Sequence, residues 1–551
     1  MDIRKGNMQM SGKHTLDELN QLSREELVTI ILTMQGQLDT LNENIERLIE
    51  QVRIANQHRF GRKTETMQSI EGQLSFFNEA DALYDKDARE PEADEVLPPK
   101  PRRKKAKGQR DTDLKEFPED IIPTHAVPKE TLDAFYGPGC WRRMLDETYK
   151  RLRHEPESWT VEVHTVEVYV GTDGDHQDEF LRGDRPKDLF RNSIVTPSLL
   201  ASILNVKYVN SAPLNRIEQE FMRNGVNISR QTMSNWIAGS SDRYFAPLVE
   251  RMRQELLKLP VTQADETPTQ VIHDDRHPGS KSYMWVHRSG EFCKDRMIVI
   301  YEYQKGRDHE LPLAFYQDYK GVLVTDGLQQ YHLVEKKLEG LINANCWAHA
   351  RRDYADAIKA AGKSDPDAVR RSAAYQALSR NSQIYKQEGT LKDLTPEQRL
   401  QERQNNIGPL VEEYFAWVKK QLEDGTVPPK SKTADGLRYS VNQEKYLRVF
   451  LTDGNVPIDN SASERAIRTF CIGKKNWMFH DSVRGAQASA VIYSLSETAK
   501  LNNLRPYYYF RHLLTKLPNL CDEKGKIEPA KLDDLLPWSE ALPDECRKPR
   551  R

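Results

Sequence analysis

Three β-prone runs at hairpin-like spacing, a helical segment and then a fourth apolar run limit what the middle of this chain can fold into. The first run, L-P-V-T-Q-A-D-E-T-P-T-Q-V-I, carries Asp265 at the end of its short β-prone part. The second, S-Y-M-W-V-H-R-S, starts at Ser282, and the third, R-M-I-V-I-Y-E-Y, at Arg296. A helical segment around Asp308 to Tyr316 follows, and then G-V-L-V-T-D-G, a buried strand whose C-terminal residue is Asp326. The pattern predicts an α/β core with acids at the ends of its first and fourth strands.

In a chain with 83 acids a single Asp is almost always a solvated surface group. Two of them, each closing a buried-looking strand, argue for a site. A third acid comes from P-I-D-N-S-A-S-E-R-A-I-R, residues 457–468. Pro457 closes the preceding segment, and Asp459, Asn460 and Ser461 are all good N-cap types. Ala462, Ala466, Ile467 and Phe470 then follow a helical rhythm, which puts Glu464 about one turn in. A carboxylate there also complements the helix dipole. Strand order and acids together are the plan of a ribonuclease-H-like fold with a cluster of three carboxylates. Hard oxygen ligands of this kind hold two divalent cations, one to activate a water or a DNA 3′ hydroxyl and one to stabilise the leaving oxygen. Glu497, in the helix S-L-S-E-T-A-K, is the rival for the third place and otherwise a supporting group behind the site.

At 551 residues the chain is too long for one domain, and its 30% charged residues read as a soluble protein rich in exposed helix and linker. No apolar run reaches bilayer length and M-D-I-R-K-G lacks a signal-peptide core, so the expected address is the cytoplasm. Cys140, Cys293, Cys346, Cys471, Cys521 and Cys546 have no paired spacing, which predicts reduced thiols. A net charge of −2 excludes a uniformly basic nucleic-acid binder, so any DNA contact must come from local clusters.

Leu27, Ile31, Met34, Leu38, Leu41, Ile45, Leu48 and Val52 alternate in steps of four and three, a heptad seam that predicts a coiled coil; a helix docked on its own core is the alternative. From Glu79 to about Glu119 the chain reads as a linker. Its basic run includes Lys100, Arg102, Arg103, Lys104, Lys105 and Lys107, and serves as a solvated tether or as a phosphate contact. Thr160–Val170 alternates as a half-buried strand. His125, Cys140 and His154 are too scattered to form a metal site. Between Ser193 and Asp242 three helices are expected. Gly225 would form the turn, Ser229 the N-cap, and Met233, Trp236 and Ile237 a buried stripe. Arg230, Gln231, Ser234 and Asn235 then face outward, as on a helix-turn-helix recognition helix, although ordinary three-helix bundles share the pattern. His349, Arg351 and Arg352, after the strand-like I-N-A-N-C-W, are candidates to hold a scissile phosphate. Arg465, Arg468, Lys474 and Lys475 line a possible strand path beside Glu464, or form a solvated face. Cys346 is assigned to core packing, since Cys346 and His349 lack further ligand partners.

The chain resembles the insertion-sequence-66 family of bacterial DDE transposases. The resemblance rests on A-D-E-T-P around Asp265, T-D-G around Asp326, C-W-A-H-A-R-R-D-Y from Cys346, D-N-S-A-S-E-R-A-I-R around Glu464, and S-L-S-E-T-A-K-L-N-N-L-R-P-Y from Ser494. It extends to R-F-G-R-K-T-E, the helix-turn-helix and the closing L-L-P-W. It implies that Asp265, Asp326 and Glu464 are the catalytic triad, holding two Mg2+ or Mn2+ ions per active site. It also implies double-stranded DNA as partner and substrate, a homodimer or larger assembly through the coiled coil, element-encoded helper proteins, no membrane, and a bacterial, nucleoid-associated address. Family members commonly carry a Cys-rich zinc segment before the helix-turn-helix; its C-x-x-C pairs are absent around 120–160, so no structural zinc is expected.

The expected organisation is a coiled coil over 1–65, a charged linker over 66–119, and a small β-containing domain over 120–190. A helix-turn-helix domain follows over 191–245, then a ribonuclease-H-like core over 246–354 and 451–500 interrupted by a helical insertion over 355–450, and a C-terminal segment over 501–551. The competing readings are a catalytically silent coiled-coil DNA-binding protein and a structure-specific nuclease of the same fold.

Overall fold

The computed structural model describes residues 193–549 apart from 278–279, 362–365 and 523–524. Before these it describes residues 23–25, 27–29, 31–32, 35–36, 130, 159–162, 168–170, 180–182 and 187–191. Two compact units are present: Met1–Tyr84 with Asp188–Arg547, and Asp85–Lys187 with Lys548–Arg551. Within the second, β1 (Val168–Val170) and β2 (Phe180–Arg182) pair antiparallel, Val168 opposite Arg182. The strand expected over Thr160–Val170 is a strand at Val168–Val170, whereas Trp159–Glu162 is irregular and exposed. Arg102, Arg103, Lys104 and Lys105 lie outside the described residues, as do His125, Cys140, His154 and most of the heptad seam. The described residues between 24 and 36 are helical, with Val28, Ile31 and Leu32 exposed.

The first unit continues with α1 (Pro197–Leu204), α2 (Leu214–Arg223), α3 (Arg230–Ser240) and α4 (Ala246–Leu256). Thr196 caps α1 by accepting the Leu199 amide, and the chain beyond α1 widens into a π-turn over Asn205–Val209. Ser229 caps α3 by accepting the Thr232 amide at 3.1 Å, after a turn in which Gly225 takes a left-handed φ of 78°. Met233, Trp236 and Ile237 are buried, while Arg230, Gln231, Ser234 and Asn235 are exposed. The sequence stripe therefore set the orientation of α3.

The central sheet has five strands: β3 (Val261–Thr269), β5 (Ser282–Ser289), β6 (Val299–Gln304), β7 (Gly321–Thr325) and β8 (Leu341–Asn345). A separate parallel pair joins β4 (Val271–His273) to β9 (His480–Ser482). The central order is β6-β5-β3-β7-β8, with β5 antiparallel to its two neighbours and β7 and β8 parallel to β3. Short helices α5 (Glu310–Phe315) and α6 (Gln329–Lys337) make the crossovers on either side of β7.

Alternation along the strands assigns residues to two faces. Ala264 and Leu323 join a core shared with α1–α4, and Val261, Val322, Val324 and Ala344 join a second core. That second core is built with a helical insertion comprising α7 (Trp347–Ala361), α8 (Ala373–Gly389), α9 (Gly408–Glu423) and α10 (Lys432–Asn442). The chain then returns through α11 (Ser461–Trp477), α12 (Val483–Leu501) and α13 (Pro506–Leu520). Helix α12 seals the edge strand β6: Ser494 and Thr498 hydroxyls accept the Tyr301 and Val299 amides at 2.8 and 3.0 Å. Those amides would otherwise be open for edge pairing. This gives a structural reason for S-L-S-E-T-A-K.

Candidate active site

Strand β3 pairs with β7 only through Gln263↔Val324 and continues alone along β5 to Thr269. Asp265 therefore stands mid-strand rather than at a strand end, because its parallel partner stops first. Asp326 follows the last residue of β7. Each acid is two residues beyond the Gln263↔Val324 pair, the last of the β3–β7 ladder, Asp265 within β3 and Asp326 in the turn that follows β7. Two-residue periodicity turns both toward the face packed by the insertion.

Burial, followed by the negative charges of Glu266, Asp326 and Glu464, holds the Asp265 carboxyl well above the usual carboxylate range. Its Oδ1 accepts the Glu266 amide at 2.8 Å. Glu266 faces the opposite side, where Arg307 lies at 2.5 Å and the Tyr331 hydroxyl donates at 2.7 Å. Burial and Asp326 nonetheless raise its carboxyl.

Glu464 lies in the first turn of α11, whose start is fixed from several sides. Asp459 Oδ1 accepts the Ser461 amide at 3.0 Å. Asn460 occupies the cap position, but its side chain binds the sheet instead, donating to the Ala264 carbonyl at 2.8 Å and accepting from Gln263 at 3.2 Å. The buried Arg288 guanidinium donates to the Ala462 carbonyl at 2.8 Å. The Glu464 carboxyl is pushed up by burial and by Asp459 and Asp326, while Arg352 and Arg465 oppose the rise. His349 Nδ1 and the Arg352 guanidinium stand 3.8 and 4.0 Å from its Oε1. Burial and Arg352 lower His349 to about 4, so its ring is neutral at neutral pH.

The insertion touches both acid-bearing segments. Tyr439 of α10 donates to the Asp326 carbonyl at 2.9 Å, and Tyr385 of α8 donates to Asp459 Oδ2 at 3.1 Å. Gly327 has φ of 87°, and a Cβ there would lie 2.6 Å from the Tyr439 hydroxyl and 2.8 Å from Asn345 Nδ2. Only glycine fits that turn.

Among the described residues, Cys346, His349 and Glu464 are the set whose potential ligand atoms all lie within 4.8 Å of one another. No trio containing Asp265 and Asp326 meets that spacing among them. Cys346 is fully buried as expected, but Glu464 supplies the partner that sequence spacing did not reveal. The surrounding cations divide into two groups. Arg465 pairs with Glu291 at 2.9 Å and Lys474 donates to the Pro268 carbonyl, whereas Arg352 and Lys475 are exposed and Arg351 and Arg468 half-buried. Glu497 binds Lys500 at 2.6 Å and receives the Thr469 hydroxyl at 3.4 Å, which ties it to α11 from behind.

Residues 192–488 match the family described as Transposase IS66 family, residues 494–538 the IS66 C-terminal element, and residues 47–121 Transposase C of IS166 homeodomain. Three proteins of Sinorhizobium fredii are similar to this chain. The uncharacterized protein y4qI is 28% identical over 364 residues, 64% of each chain. The uncharacterized protein y4hP is 26% identical over 359 residues, 62% of each. The uncharacterized protein y4jD is 25% identical over 371 residues, 65% of this chain and 69% of its own. The matched stretch thus spans less than two thirds of the first two relatives.

Proposed function

This chain belongs to the IS66 transposase family, and on that premise we propose that it cuts and joins DNA at Asp265, Asp326 and Glu464. The observation that carries the reading is that Asp265 and Asp326 each follow the paired stretch of neighbouring parallel strands by two residues, with the first turn of α11 bonded to the Asp265 strand through Asn460. The sheet order, three antiparallel strands followed by two parallel ones, supports a ribonuclease-H-like core.

The donor set fits divalent metal. Burial first, and then the charges of Glu266, Asp326 and Glu464, raise the Asp265 carboxyl, and a hard dication would offset both. Mg2+ or Mn2+ held by Asp265, Asp326 and Glu464 would supply the charge that activates an attacking oxygen and stabilises the leaving one. The protein's own groups then have defined tasks. Tyr439 and Gly327 fix the turn after β7, and Asn460, Asp459 and Arg288 fix the helix that presents Glu464. Arg351, Arg352, Arg468 and Lys475 hold backbone phosphates, with neutral His349 beside them. Arg465 and Lys474 reach DNA only by giving up Glu291 and Pro268. Water attacks first, and the freed 3′ hydroxyl then attacks target DNA in line, with no covalent enzyme intermediate.

The exposed face of α3, with Arg230, Gln231, Ser234 and Asn235, reads the element ends. The heptad seam assembles a homodimer or larger complex, which the exposed seam residue Ile31 supports. Arg102, Arg103, Lys104 and Lys105 add phosphate contacts, element-encoded helper proteins assist, and the protein works at the bacterial nucleoid.

The test is a cleavage and strand-transfer assay on element-end DNA with Mg2+ or Mn2+. Wild type nicks and joins, and Asp326→Asn does neither. Binding without cleavage under either metal would refute catalysis, and cleavage without joining would favour the nuclease reading.

A further inference from the structure

Beside the acid pair, a fully buried thiol, an imidazole nitrogen and a carboxylate oxygen converge. The ligand atoms of Cys346, His349 and Glu464 lie within 4.8 Å of one another. Cys346 immediately precedes α7 and His349 is in its first turn, three residues apart and so on one face. Glu464 arrives from α11, and the two helix starts are tied together. The Asn460 amide donates to Cys346 Sγ at 3.1 Å, and the Trp347 amide donates to the Ile458 carbonyl at 3.2 Å. His349 Nδ1 is buried without a hydrogen-bond partner, which is costly for a polar atom, and it stands 3.8 Å from Glu464 Oε1. Ligands of tetrahedral zinc, bound at about 2.0–2.3 Å, stand roughly 3.3–3.8 Å apart. The His349–Glu464 pair is already at that spacing, and an amide donating to sulfur is the kind of outer contact that steadies a metal-bound thiolate.

We propose that Cys346, His349 and Glu464 form a site for a zinc-class divalent cation, with a fourth position open, and that this site competes for Glu464 with the three-carboxylate site. Binding releases the thiol proton to solvent and forms a metal–sulfur bond, with no redox change. Occupancy draws Glu464 away from Asp265 and Asp326, so the cation acts as an inhibitor. Only this inhibitory consequence rests on the proposed function.

The binding test uses Co2+ alone with the full chain and no DNA. Wild type should show a sulfur-to-cobalt charge-transfer band that Zn2+ abolishes. Cys346→Ser should remove the band, His349→Ala and Glu464→Gln should each weaken Co2+ binding at least about tenfold, and Asp265→Asn should retain it. The absence of a band in wild type, or a band that survives both Cys346→Ser and His349→Ala, overturns the site. In the cleavage assay, Zn2+ should inhibit wild type at concentrations at least about tenfold lower than those that inhibit Cys346→Ser, each relative to its own zinc-free rate. Equal sensitivity overturns the competition. Failure of wild type to cleave at all counts against the proposed function and leaves the cobalt result standing.

Discussion

Replacing Asp265 by Asn should stabilise the protein in chelator while abolishing its activity. The Asp265 carboxyl is raised well above its ordinary range by burial and by Glu266, Asp326 and Glu464. A carboxyl held above its unfolded value binds its proton more tightly in the folded state. Its penalty is therefore absent below the ordinary carboxylate range, near pH 3.9, grows as pH rises toward the raised value, and is constant above it. Each unit of elevation costs about 1.4 kcal/mol at neutral pH. Asn removes that charge, and its amide oxygen can still accept the Glu266 amide. Divalent metal opposes that ranking, because a ligand at a hundred times its Kd stabilises the wild type by about 2.7 kcal/mol and a protein that cannot bind it gains nothing. The assay is thermal unfolding of both proteins in EDTA and in Mg2+, from pH 4 to 8. The variant should melt higher in EDTA at pH 7.5, the gap should close toward pH 4, and Mg2+ should raise only the wild type. A variant that melts lower in EDTA, or equal gains from Mg2+, refutes the reasoning.

Tyr439→Phe removes the donor to the Asp326 carbonyl and should cost about 1 kcal/mol of stability; it should also raise the Mg2+ concentration for half-maximal cleavage, and an unchanged metal requirement would show the hydroxyl to be structural only. Gly327→Ala forces a side chain into a left-handed turn against Tyr439 and Asn345, for a loss of at least about 1–2 kcal/mol in denaturant titration; wild-type stability would contradict the turn geometry. Gln231→Ala with Asn235→Ala on the exposed face of α3 should weaken element-end binding by about 1–3 kcal/mol for each base edge no longer read and leave non-specific binding unchanged. Equal weakening on random DNA in anisotropy titrations would argue against base reading.

The local signals were legible wherever structure is decided locally. Periodicity and cap chemistry located β5 at Ser282–Ser289, the Ser229 cap and the outward face of α3. Asp265 stands inside β3 and not at its end; a run of β-prone residues does not reveal that one neighbouring strand ends before the other. Asn460 was read as a cap and instead bonds to Gln263 and Ala264, partners about two hundred residues distant in sequence. Tyr385 and Tyr439 carried no signal at all. They sit among ordinary helical residues of the insertion, and their value arises only when α8 and α10 pack over the acid face. Cys346 and His349 were visible as a pair, but the third partner came from the far side of that insertion.

The central claim is that Asp265, Asp326 and Glu464 hold divalent metal where DNA is cut. Anomalous diffraction from Mn2+-soaked crystals of the protein with element-end DNA tests it most directly. The account predicts manganese peaks between Asp265 and Asp326, with Glu464 drawn onto the same ions and Asp326→Asn crystals lacking them. Manganese absent from the two aspartates, or bound only elsewhere on the protein, would contradict it.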